Sequence, residues 1–433
     1  MLDLNPQFDR ALDLLNSTKK PVFLTGNAGT GKSTLLKHFR ENTNKNVVVL
    51  APTGVAAVNV DGQTIHSFFG FGIGITPERA FSSSKSSKLV EILKNMDTLV
   101  IDEISMVRAD LLDCIDQAIK KALNLKKNAI PFGGIQVVFI GDLYQLPPVV
   151  LGHENERFST EYKSPYFFDA KCLSGFNMET VQLQKIYRQE DLAFIDVLNK
   201  IRNGVAQNED FAVVNTQLIE KVGGFSDDIP SVTLTTTNKS ANEENESRLK
   251  RLDAEQFIFN AQITGDFKES HFPTDRELRL KEGSQVMMLN NDKEGRWVNG
   301  TVGRIKSIKK DLLVVVFDEP EKARSRELAI DRFEWEVKAH EWNENKKKME
   351  LKTLGTFSQF PLRLAWAITI HKSQGKTFDR AVVDMGFGAF AHGQVYVALS
   401  RCKSLEGLRL VKNIVPRHIM IDARVNEFHS STV

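Results

Sequence analysis

Eight consecutive residues near the amino terminus have the spacing of a phosphate-binding loop. The segment Gly26-Asn27-Ala28-Gly29-Thr30-Gly31-Lys32-Ser33 fits the pattern G-x-x-x-x-G-K-[ST], in which backbone N–H groups and a lysine surround the phosphates of a nucleotide. The apolar run from Pro21 to Thr25 predicts a buried parallel strand before it. Leucines and a phenylalanine at helical spacing predict a helix over 33–40 after it. Because a helix start has free N–H groups and a partial positive charge, we expect a triphosphate there.

Each side chain of this loop has a predicted part in holding ATP. We expect Lys32 to reach the terminal phosphates and Ser33 to ligate Mg²⁺. A chance glycine turn is the alternative, but the full match between strand and helix disfavours it. Upstream, the amide of Gln7 could pair with an adenine edge, although a surface glutamine is the commoner interpretation. The predicted nucleotide-binding residues of this half are Gln7, Gly26, Gly29, Thr30, Gly31, Lys32, Ser33 and Thr34.

Two adjacent acids follow another apolar run. Thr98 to Ile101 predicts a buried strand, and Asp102 and Glu103 come directly after it. We expect Asp102 to hold Mg²⁺ through water and Glu103 to polarise the water that attacks the γ-phosphate. Acids that only favour a helix start are the alternative. After the next predicted strand, 135–140, Gln145 is placed to sense the terminal phosphate and pass its state to the following prolines.

Polar and aromatic residues after the strands of this half are candidates for contact with a polymer. Residues just past the carboxyl end of a parallel strand line the binding crevice. Thr53 could bond a phosphate, and His66 and Phe68 could touch a sugar or stack on a base. Core packing is the alternative for Phe68 and Phe69. The predicted nucleic-acid contacts here are Thr53, Gly54, Val55, His66, Phe68 and Pro147.

A second alternation of strand and helix begins near residue 232 and predicts a second nucleotide-fold domain. Thr235 and Asn238, at the end of its first strand, are candidate contacts to a nucleic-acid backbone. The loop His371-Lys372-Ser373-Gln374-Gly375 follows a strand predicted over 360–369. Its small, polar and basic composition suits phosphate contacts, although a helix cap is the alternative. Within it, His371, Lys372 and Ser373 are predicted to contact nucleic acid, and Gly375 permits close approach to the nucleotide.

Two arginines could reach a phosphate. Arg401 ends a helix predicted to start at Gly393, and it would present planar, permanently charged donors to the γ-phosphate. A surface arginine is the alternative. Arg188, in Tyr187-Arg188-Gln189, is by itself typical of a solvated helix face.

Two stretches differ in texture from the rest. Between 283 and 339, short β-rich segments separated by turn residues predict a small antiparallel barrel inserted into the second domain. These segments are 285–289, 303–308, 312–317 and 328–337. The lysines 346–348 suit a solvated hairpin tip that could touch duplex backbone. Gly70 to Lys88, rich in glycine and serine, predicts a small surface insert in the first domain.

Bulk properties limit the class of protein. The 433 residues suffice for two or three domains. The net charge is only +2, so any nucleic-acid contact must come from a local groove. Three cysteines far apart argue against a zinc site or a disulfide framework and suit a reducing compartment. Residues 1–10 lack a signal pattern, and no apolar run approaches the ~20 residues that cross a bilayer.

The motifs together resemble superfamily 1B helicases, most of all the Pif-type DNA helicase family, with RecD-like helicases next. The resemblance spans nearly the whole chain, and only the block around Gln7 matches poorly. The blocks that carry it are 26–34, 51–69, 101–106, 141–148, 187–189, 299–303, 367–378 and 393–401.

The resemblance implies an α/β fold of two RecA-like P-loop NTPase domains with parallel sheets and an inserted SH3-like β-barrel. The first domain would cover 1–175, with an insert at about 70–95; the second would cover 176–280 and 355–433; the barrel would cover 281–354. It implies that Arg188 is an arginine finger, and that ATP and Mg²⁺ lie in the cleft between the domains. The predicted catalytic residues are Lys32, Glu103, Gln145, Arg188 and Arg401.

The resemblance also implies translocation from 5′ to 3′ on single-stranded DNA, with unwinding of duplex or G-quadruplex DNA in replication, repair, recombination and telomere maintenance. Expected partners are single-stranded DNA and its junctions with duplex DNA, bound by a monomer, and no membrane is expected to take part. If the source is bacterial, the expected location is the cytoplasm, in association with the nucleoid. Two alternatives stay open: a translocase that separates no strands, and a P-loop kinase or metabolic ATPase. The residues themselves do not decide between DNA and RNA.

Overall fold

Two parallel sheets make up the core of the fold, and an antiparallel region is inserted in the chain between strands of the second sheet. The computed structural model describes residues 5–72, 74–150, 152–187, 189, 191–226, 230–292, 294–309, 312–319 and 324–432. The first sheet, which with its helices we name the first lobe, has six parallel strands in the order β3-β2-β4-β5-β1-β6. They are β1 (Val22–Gly26), β2 (Val47–Ala51), β3 (Gln63–Thr64), β4 (Thr98–Ile101), β5 (Gln136–Ile140) and β6 (Glu179–Leu183).

The central strands of the first lobe are buried along their whole length. Their apolar runs are covered on both faces by helices, as a parallel sheet requires. The helices of this half are α1 (Pro6–Ser17), α2 (Lys32–Asn42), α3 (Gly54–Asn59), α4 (Ile65–Phe69), α5 (Pro77–Ser82), α6 (Ser87–Asn95), α7 (Ala109–Ala122) and α8 (Asn155–Glu161). The carboxyl ends of neighbouring parallel strands lie at the same edge of the sheet. The loops after β1, β2, β4 and β5 therefore converge at this edge.

The stretch predicted as a loop-like insert, 70–88, contains helix α5 and the start of α6. Thr76 caps α5 by accepting from the N–H of Arg79, and Ser86 caps α6 by accepting from the N–H of Leu89. The apolar side chains of α6 then pack into the core of the first lobe. Residues that cap helices are also typical of loops. Composition alone therefore could not predict these two short helices.

The second half supplies a four-stranded parallel sheet, which with its helices we name the second lobe. Its strand order is β18-β7-β19-β20. The strands of this half are β7 (Val232–Thr235), β8 (Phe257–Asn260), β9 (Gln262–Gly265), β10 (Glu277–Leu280), β11 (Gln285–Met288), β12 (Val302–Lys309), β13 (Leu312–Glu319), β14 (Arg324–Ile330), β15 (Phe333–Asn343), β16 (Lys348–Gln359), β17 (Leu362–Leu364), β18 (Ala367–Thr369), β19 (Ala381–Asp384) and β20 (Leu408–Leu410). The helices are α9 (Leu192–Asn203), α10 (Asn208–Asn215), α11 (Ile219–Val222), α12 (Asn238–Arg251), α13 (Ile370–Ser373), α14 (Gln394–Leu399) and α15 (Ala423–Thr432).

Three antiparallel sheets lie between the parallel strands of the second half. Their orders are β14-β13-β12-β11-β17, β15-β16-β9 and β10-β8. The strand predicted over 328–337 is in fact two strands, β14 and β15, because the chain turns at Asp331 and Arg332. The antiparallel pairing predicted for this region is therefore present, while the SH3-like character and the domain limits stay predictions.

The strand predicted over 360–369 is also two strands, and they belong to different sheets. β17 pairs with β11 in an antiparallel sheet, whereas β18 pairs with β7 in the parallel sheet. The side-chain amide of Gln285 stabilises the break by donating to the carbonyls of Ser231 and Ala365, both at 2.7 Å. A mostly apolar run cannot reveal such a switch, because it does not indicate which strand each part pairs with.

A long hairpin formed by β15 and β16 reaches from the antiparallel region to the first lobe. Lys88 of α6 pairs with Glu341 of β15 at 3.0 Å. The backbone N–H of His340 donates to Oε1 of Gln63 at 3.4 Å, and that of Met349 donates to Oδ1 of Asn46 at 3.3 Å. The hairpin is thereby docked along the β3 edge of the first sheet.

The last helix, α15, also packs on the first lobe, although it lies in the range predicted for the second. Arg424 forms two hydrogen bonds to the carboxylate of Asp169, at 2.6 and 2.9 Å. The ring of Phe428 stacks on Phe168 with centroids 4.2 Å apart. The carboxyl-terminal segment therefore ties the two lobes together.

Candidate nucleotide and nucleic-acid site

A cavity of about 670 Å³ lies between the two lobes. This volume is in the range of small-molecule sites. The first lobe contributes the loop after β1 and the acids after β4, while the second lobe contributes Arg401 and Thr377. The predicted nucleotide-binding residues that line the cavity are Gly29, Thr30, Gly31, Lys32, Ser33, Thr34 and Gly375. The structure therefore brings together residues that are more than 340 positions apart in the chain.

The phosphate-binding loop has the backbone that its glycines were predicted to provide. Gly29 and Gly31 have φ angles of 81° and 87°, which favour glycine over residues with a side chain. The Nζ of Lys32 donates to the carbonyls of Gly26 and Asn27, at 2.7 and 3.0 Å. Burial lowers the pKa of Lys32, although the charges of nearby acids oppose this effect. The lysine therefore lies over the loop at the mouth of the cavity.

Two predicted nucleotide-binding residues, Gly26 and Gln7, do not line the cavity. A side chain on Gly26 would meet the carbonyl oxygen of Leu183 at 2.6 Å, so close strand packing requires glycine there. The side-chain amide of Gln7 donates to Oε1 of Gln184 at 3.3 Å. Its neighbour Phe8, which the sequence did not single out, lines the cavity.

The acids after β4 are held close to the loop. Burial, and then the charge of Glu103, raise the pKa of Asp102. Burial likewise raises the pKa of Glu103, while Lys32 and Arg401 act in the opposite direction. Glu103 has a φ of 50°, an uncommon conformation for a residue with a side chain. Strained backbone of this kind is typical of functional sites.

Two glutamines connect the acids to both lobes. The side-chain amide of Gln374, from the second lobe, donates to Oε2 of Glu103 at 3.2 Å and to Oε1 of Gln145 at 3.3 Å. Gln145 donates in turn to Oδ2 of Asp142 at 3.3 Å. The predicted phosphate sensor thus contacts the predicted water-polarising acid through one residue of the opposite lobe.

A buried ion pair stands behind the sensor. Arg202, near the end of α9, donates to Oδ1 of Asp142 at 2.8 Å, and both side chains are almost fully buried. Its guanidinium lies 4.2 Å from the ring centroid of Tyr144. Burial alone would raise the pKa of Asp142, but Arg202 and Lys32 together lower it. Asp142 is therefore ionised beside the phosphate loop.

Arg401 faces the cavity from the second lobe and is only 1% exposed. Its Nε donates to the carbonyl of Val397 at 2.8 Å, and its Nη2 donates to Oγ of Ser400 at 2.7 Å. Gln189 holds the same turn by donating to the carbonyl of Ser400 at 3.0 Å. The other predicted arginine, Arg188, lies outside the described residues.

The predicted nucleic-acid contacts of the first lobe differ in accessibility. Thr53, Val55 and His66 are exposed, and the hydroxyl of Thr53 caps α3 by accepting from the N–H of Ala56 at 3.2 Å. Pro147 is half-buried. A side chain on Gly54 would lie 2.6 Å from the ring of His271, which approaches from the antiparallel region.

Phe68 is the least accessible of these residues. It is 7% exposed, and its ring packs edge-on against Phe69 at 4.8 Å and against His340 of the long hairpin at 6.0 Å. Base stacking by Phe68 stays a prediction, and in this conformation it would require movement of the hairpin.

In the second lobe the predicted contacts gather at the carboxyl ends of β7 and β18. Lys372 and Asn238 are exposed and line a cleft of about 440 Å³. Thr235 is buried and its hydroxyl donates to the carbonyl of Thr237 at 3.1 Å. Ser373 is fully buried and donates to the carbonyl of Ile370, while His371 is half-buried. The exposed pair can touch a polymer directly, and the buried hydroxyls support the loops.

Several residues of the site gave little signal in the sequence. Gln374 lies inside the loop that was singled out, but its amide had no predicted role. The hydroxyl of Tyr396 accepts from the N–H of Ala28 at 3.1 Å, a contact between lobes that no local pattern indicates. Arg202 lies in an ordinary amphipathic helix, so only the fold reveals its partner. An aspartate two residues after the end of a buried strand could have indicated Asp142.

The fold and the site define a P-loop ATPase whose nucleotide cleft is shared by two parallel-sheet lobes. The sequence model of PIF1-like helicases matches residues 7–211. The ATP-dependent DNA helicase Pif1 of Bdellovibrio bacteriovorus is 36% identical over 99% of this chain and 92% of its own length. The chain belongs to the PIF1-like helicase family, so the predicted family is confirmed.

Other relatives are longer. Human ATP-dependent DNA helicase PIF1 is 36% identical over 95% of this chain, but the match spans only 61% of the human protein. Among solved structures, Bacteroides Pif1 with ADP-AlF4 superimposes with a TM-score of 0.90, at 35% identity over 100% of this chain and 97% of that one. Bacteroides Pif1 with ADP-AlF3 and single-stranded DNA gives 0.71 at the same identity and coverage. The predicted α/β fold class is therefore confirmed.

Within the described residues, the structure has neither a cluster of metal-ligand side chains nor a membrane-spanning helix. No group of three or more histidine, cysteine, aspartate or glutamate residues within them could hold a metal ion. No helix in the same ranges is long and apolar enough to span a membrane.

Proposed function

We propose that this protein is an ATP-dependent DNA helicase that moves from 5′ to 3′ on single-stranded DNA. One observation carries the proposal: Lys32, Glu103 and Gln145 of the first lobe and Arg401 of the second lobe line a single cavity. Charge that develops on the γ-phosphoryl group would be stabilised only when both lobes are in place. Hydrolysis would therefore require closure of the cleft, and loss of the phosphate would release the lobes.

Mg²⁺ would be held by Ser33 and Asp102, which both line the cavity. The Ser33 hydroxyl is exposed in the first turn of α2. Because burial and Glu103 raise the pKa of Asp102, its ionised carboxylate would be stabilised by a cation, and oxygen ligands suit Mg²⁺. The bound ion would neutralise charge on the β- and γ-phosphates.

The polymer would cross the carboxyl ends of both parallel sheets. Support comes from the exposed Thr53 and His66 in the first lobe and from Asn238 and Lys372 in the second. The similarity to Bacteroides Pif1 falls from a TM-score of 0.90 with ADP-AlF4 alone to 0.71 when single-stranded DNA is also bound. We infer that DNA binding reorients parts of this chain, and the hairpin over Phe68 is a candidate for such a movement.

The substrates would be single-stranded DNA, its junctions with duplex and folded G-quadruplex DNA, bound by a monomer in genome maintenance. Such work would place the protein with the nucleoid in a bacterial source. A translocase that separates no strands would use the same residues, and only strand displacement distinguishes it. A kinase or metabolic ATPase is disfavoured, since its site would not need an arginine from a second nucleotide fold.

Replacement of Arg401 tests the shared cleft. In Arg401→Ala, we expect hydrolysis stimulated by single-stranded DNA to fall by about 10³-fold or more, because arginine fingers contribute ~10³–10⁵ in rate. Phosphate release measures the rate, with Lys32→Ala as the inactive reference. DNA affinity, measured by fluorescence anisotropy, should stay within a few-fold of the wild type. Loss of hydrolysis together with DNA binding would count against separate roles for the cleft and the polymer surface.

A further inference from the structure

An aromatic ring is fully exposed on the loop between β19 and α14. Phe387 has a relative exposure of 109%, and Phe390, three residues later, is 60% exposed. Single exposed apolar residues are common on proteins, so exposure alone does not indicate a binding site. A ring whose entire surface faces water, however, does not contribute to packing. The contacts of the surrounding loop hold the ring in this position.

The turn that carries Phe387 is defined on both sides. Gly386 and Gly388 have φ angles of 58° and 128°, so each flanking position favours glycine. The N–H of Gly386 donates to Oδ1 of Asp384 at 2.8 Å, and Nζ of Lys412 donates to the carbonyl of Gly386 at 3.0 Å. The same Nζ lies 5.7 Å from the centroid of the Phe387 ring. The ring is therefore held out by an ordered turn, with a cation beside it.

The loop begins beside the predicted polymer contacts of the second lobe. Asp384, the last residue of β19, lies opposite Thr235 of β7 in the parallel register. A side-chain carbon on Gly386 would lie 3.8 Å from the hydroxyl of Thr236. Phe387 is thus presented at the carboxyl edge of the sheet, where an α/β fold binds its ligands.

The other end of the loop is fixed to the first lobe. The ring of His392 donates through Nε2 to the carbonyl of Leu143 at 2.9 Å. A side chain on Gly393 would meet the carbonyl of Tyr144 at 2.3 Å, so this contact is close. The segment therefore runs from the strand ends of the second lobe to the loop of the first lobe that holds Gln145 and Pro147.

The charge around the loop suits a nucleic-acid backbone. Lys412 and Arg417 are both exposed, and the ring of His418 would lie 3.4 Å from a side-chain carbon on Gly388. Cations beside an exposed aromatic ring are the usual components of a surface for single strands, with phosphates neutralised and bases stacked.

We propose that Phe387 stacks on a base of single-stranded DNA where the strand passes between the two lobes. The ligand is an unpaired nucleobase of any sequence, because every base has a face on which an aromatic ring can stack. Lys412 would neutralise a neighbouring phosphate while it fixes the turn. The proposal rests on the proposed function, since it needs a single strand across both lobes, and it adds a contact that lies outside the motif blocks.

The test compares Phe387→Ala with Phe387→Tyr in binding to an oligothymidylate, by fluorescence anisotropy without nucleotide. Stacking on one base changes affinity by about 5- to 160-fold on alanine substitution. We therefore expect Phe387→Ala to lose affinity by that factor and Phe387→Tyr, which keeps the ring, to stay within twofold. On an oligonucleotide of abasic residues, wild type and Phe387→Ala should bind equally, because no base is left to stack.

The matched control is Ile130→Ala, which removes another exposed apolar side chain, 64% exposed, from the first lobe. Its affinity should equal that of the wild type, and thermal melts of all variants establish that each is folded. Wild-type affinity in Phe387→Ala would overturn the stacking proposal and leave the helicase intact. An equal loss on the abasic strand would also overturn it, because the effect would not need a base. Failure of the wild type to bind any single strand would instead remove the proposed function.

Discussion

At the scale of single residues, the site depends on a guanidinium that does not reach the cavity. Arg202 belongs to α9, whose apolar side packs in the second-lobe core, and it holds Asp142 of the first lobe at 2.8 Å. Asp142 in turn accepts from Gln145, the predicted phosphate sensor. We regard Arg202 as a positioning residue, because it does not line the cavity and acts on the site through Asp142 and Gln145 and through its charge near Lys32.

Arg202→Met should lower the rate of DNA-stimulated hydrolysis more than the affinity for nucleotide. A misplacement of about 1 Å at a catalytic group can cost ~10²-fold in rate, so we expect kcat to fall by about that factor with KM for ATP within a few-fold. Steady-state phosphate release gives both constants. Arg202→Lys should recover part of kcat, since it restores a cation beside Asp142.

The matched control is Lys120→Met, which breaks another buried ion pair, with Asp116 at 2.8 Å, away from the cavity. Each variant leaves a buried carboxylate without its cation and should lose about 3–5 kcal/mol of stability. Only Arg202→Met should also lose kcat. Equal kcat values in the two folded variants would indicate that the ion pair of Arg202 and Asp142 only stabilises the fold.

Residue types predicted part of this site and could not predict the rest. Lys32 and Glu103 were identifiable because each sits at a fixed spacing next to a strand. Arg202 and Tyr396 act through partners more than 50 positions away, and no local pattern encodes such a distance. Phe68 is the converse case, since a sequence cannot indicate whether a hairpin 270 residues later covers its ring.

At the scale of elements, the long hairpin carries a titratable group in its contact with the first lobe. His340 of β15 is 3% exposed and packs on Phe68. Burial, and then the charge of Arg40, lower its pKa from 6.5 to about 4. Its Nδ1 has no hydrogen-bond partner among the described residues. Protonation would therefore place an uncompensated charge in an apolar contact.

The docked hairpin should lose stability in acid. The unfolded chain takes up the His340 proton near pH 6.5, but the folded chain does so only near pH 4, so stability rises with pH between these values. The contribution is complete above pH 6.5, and about 3 kcal/mol of it should be lost by pH 4. Urea unfolding followed by tryptophan fluorescence at pH 4.5 and pH 7.5 measures the difference.

His340→Leu should make the unfolding free energy less dependent on pH, because it removes the titrating group and keeps an apolar side chain. His38→Leu, on helix α2, is the control and should retain the wild-type slope. An unchanged slope in His340→Leu would assign the acid sensitivity to other groups.

The prediction of strands from the sequence succeeded where a short apolar run was bounded by turn residues. Three strands of the first lobe, β1, β4 and β5, begin and end within one residue of their predicted limits, because each is a short apolar run buried on both faces. The sequence did not predict β3 or β6 as strands. The run 360–369 failed because β17 and β18 follow each other in one mostly apolar run yet pair in different sheets. Apolar periodicity reports burial and carries no information on the pairing partner.

At the scale of the whole molecule, two lobes share one nucleotide cleft, and contacts outside the cleft also hold the molecule together. Tyr396 meets the phosphate loop, α15 packs on the first lobe, and the long hairpin docks on the β3 edge. The repeated strand–helix pattern predicted both lobes. It could not predict their arrangement, because contacts such as the pair of Arg424 and Asp169 join segments 255 residues apart.

We expect hydrolysis in the shared cleft to drive separation of DNA strands. Strand displacement tests it most directly, with one duplex carrying a single-stranded 5′ tail and a second carrying the same tail at the 3′ end. We predict that the wild type with ATP separates the 5′-tailed duplex, that ADP does not replace ATP, and that Lys32→Ala separates neither. Hydrolysis stimulated by DNA without separation of either duplex would contradict the helicase, and separation of only the 3′-tailed duplex would contradict the direction.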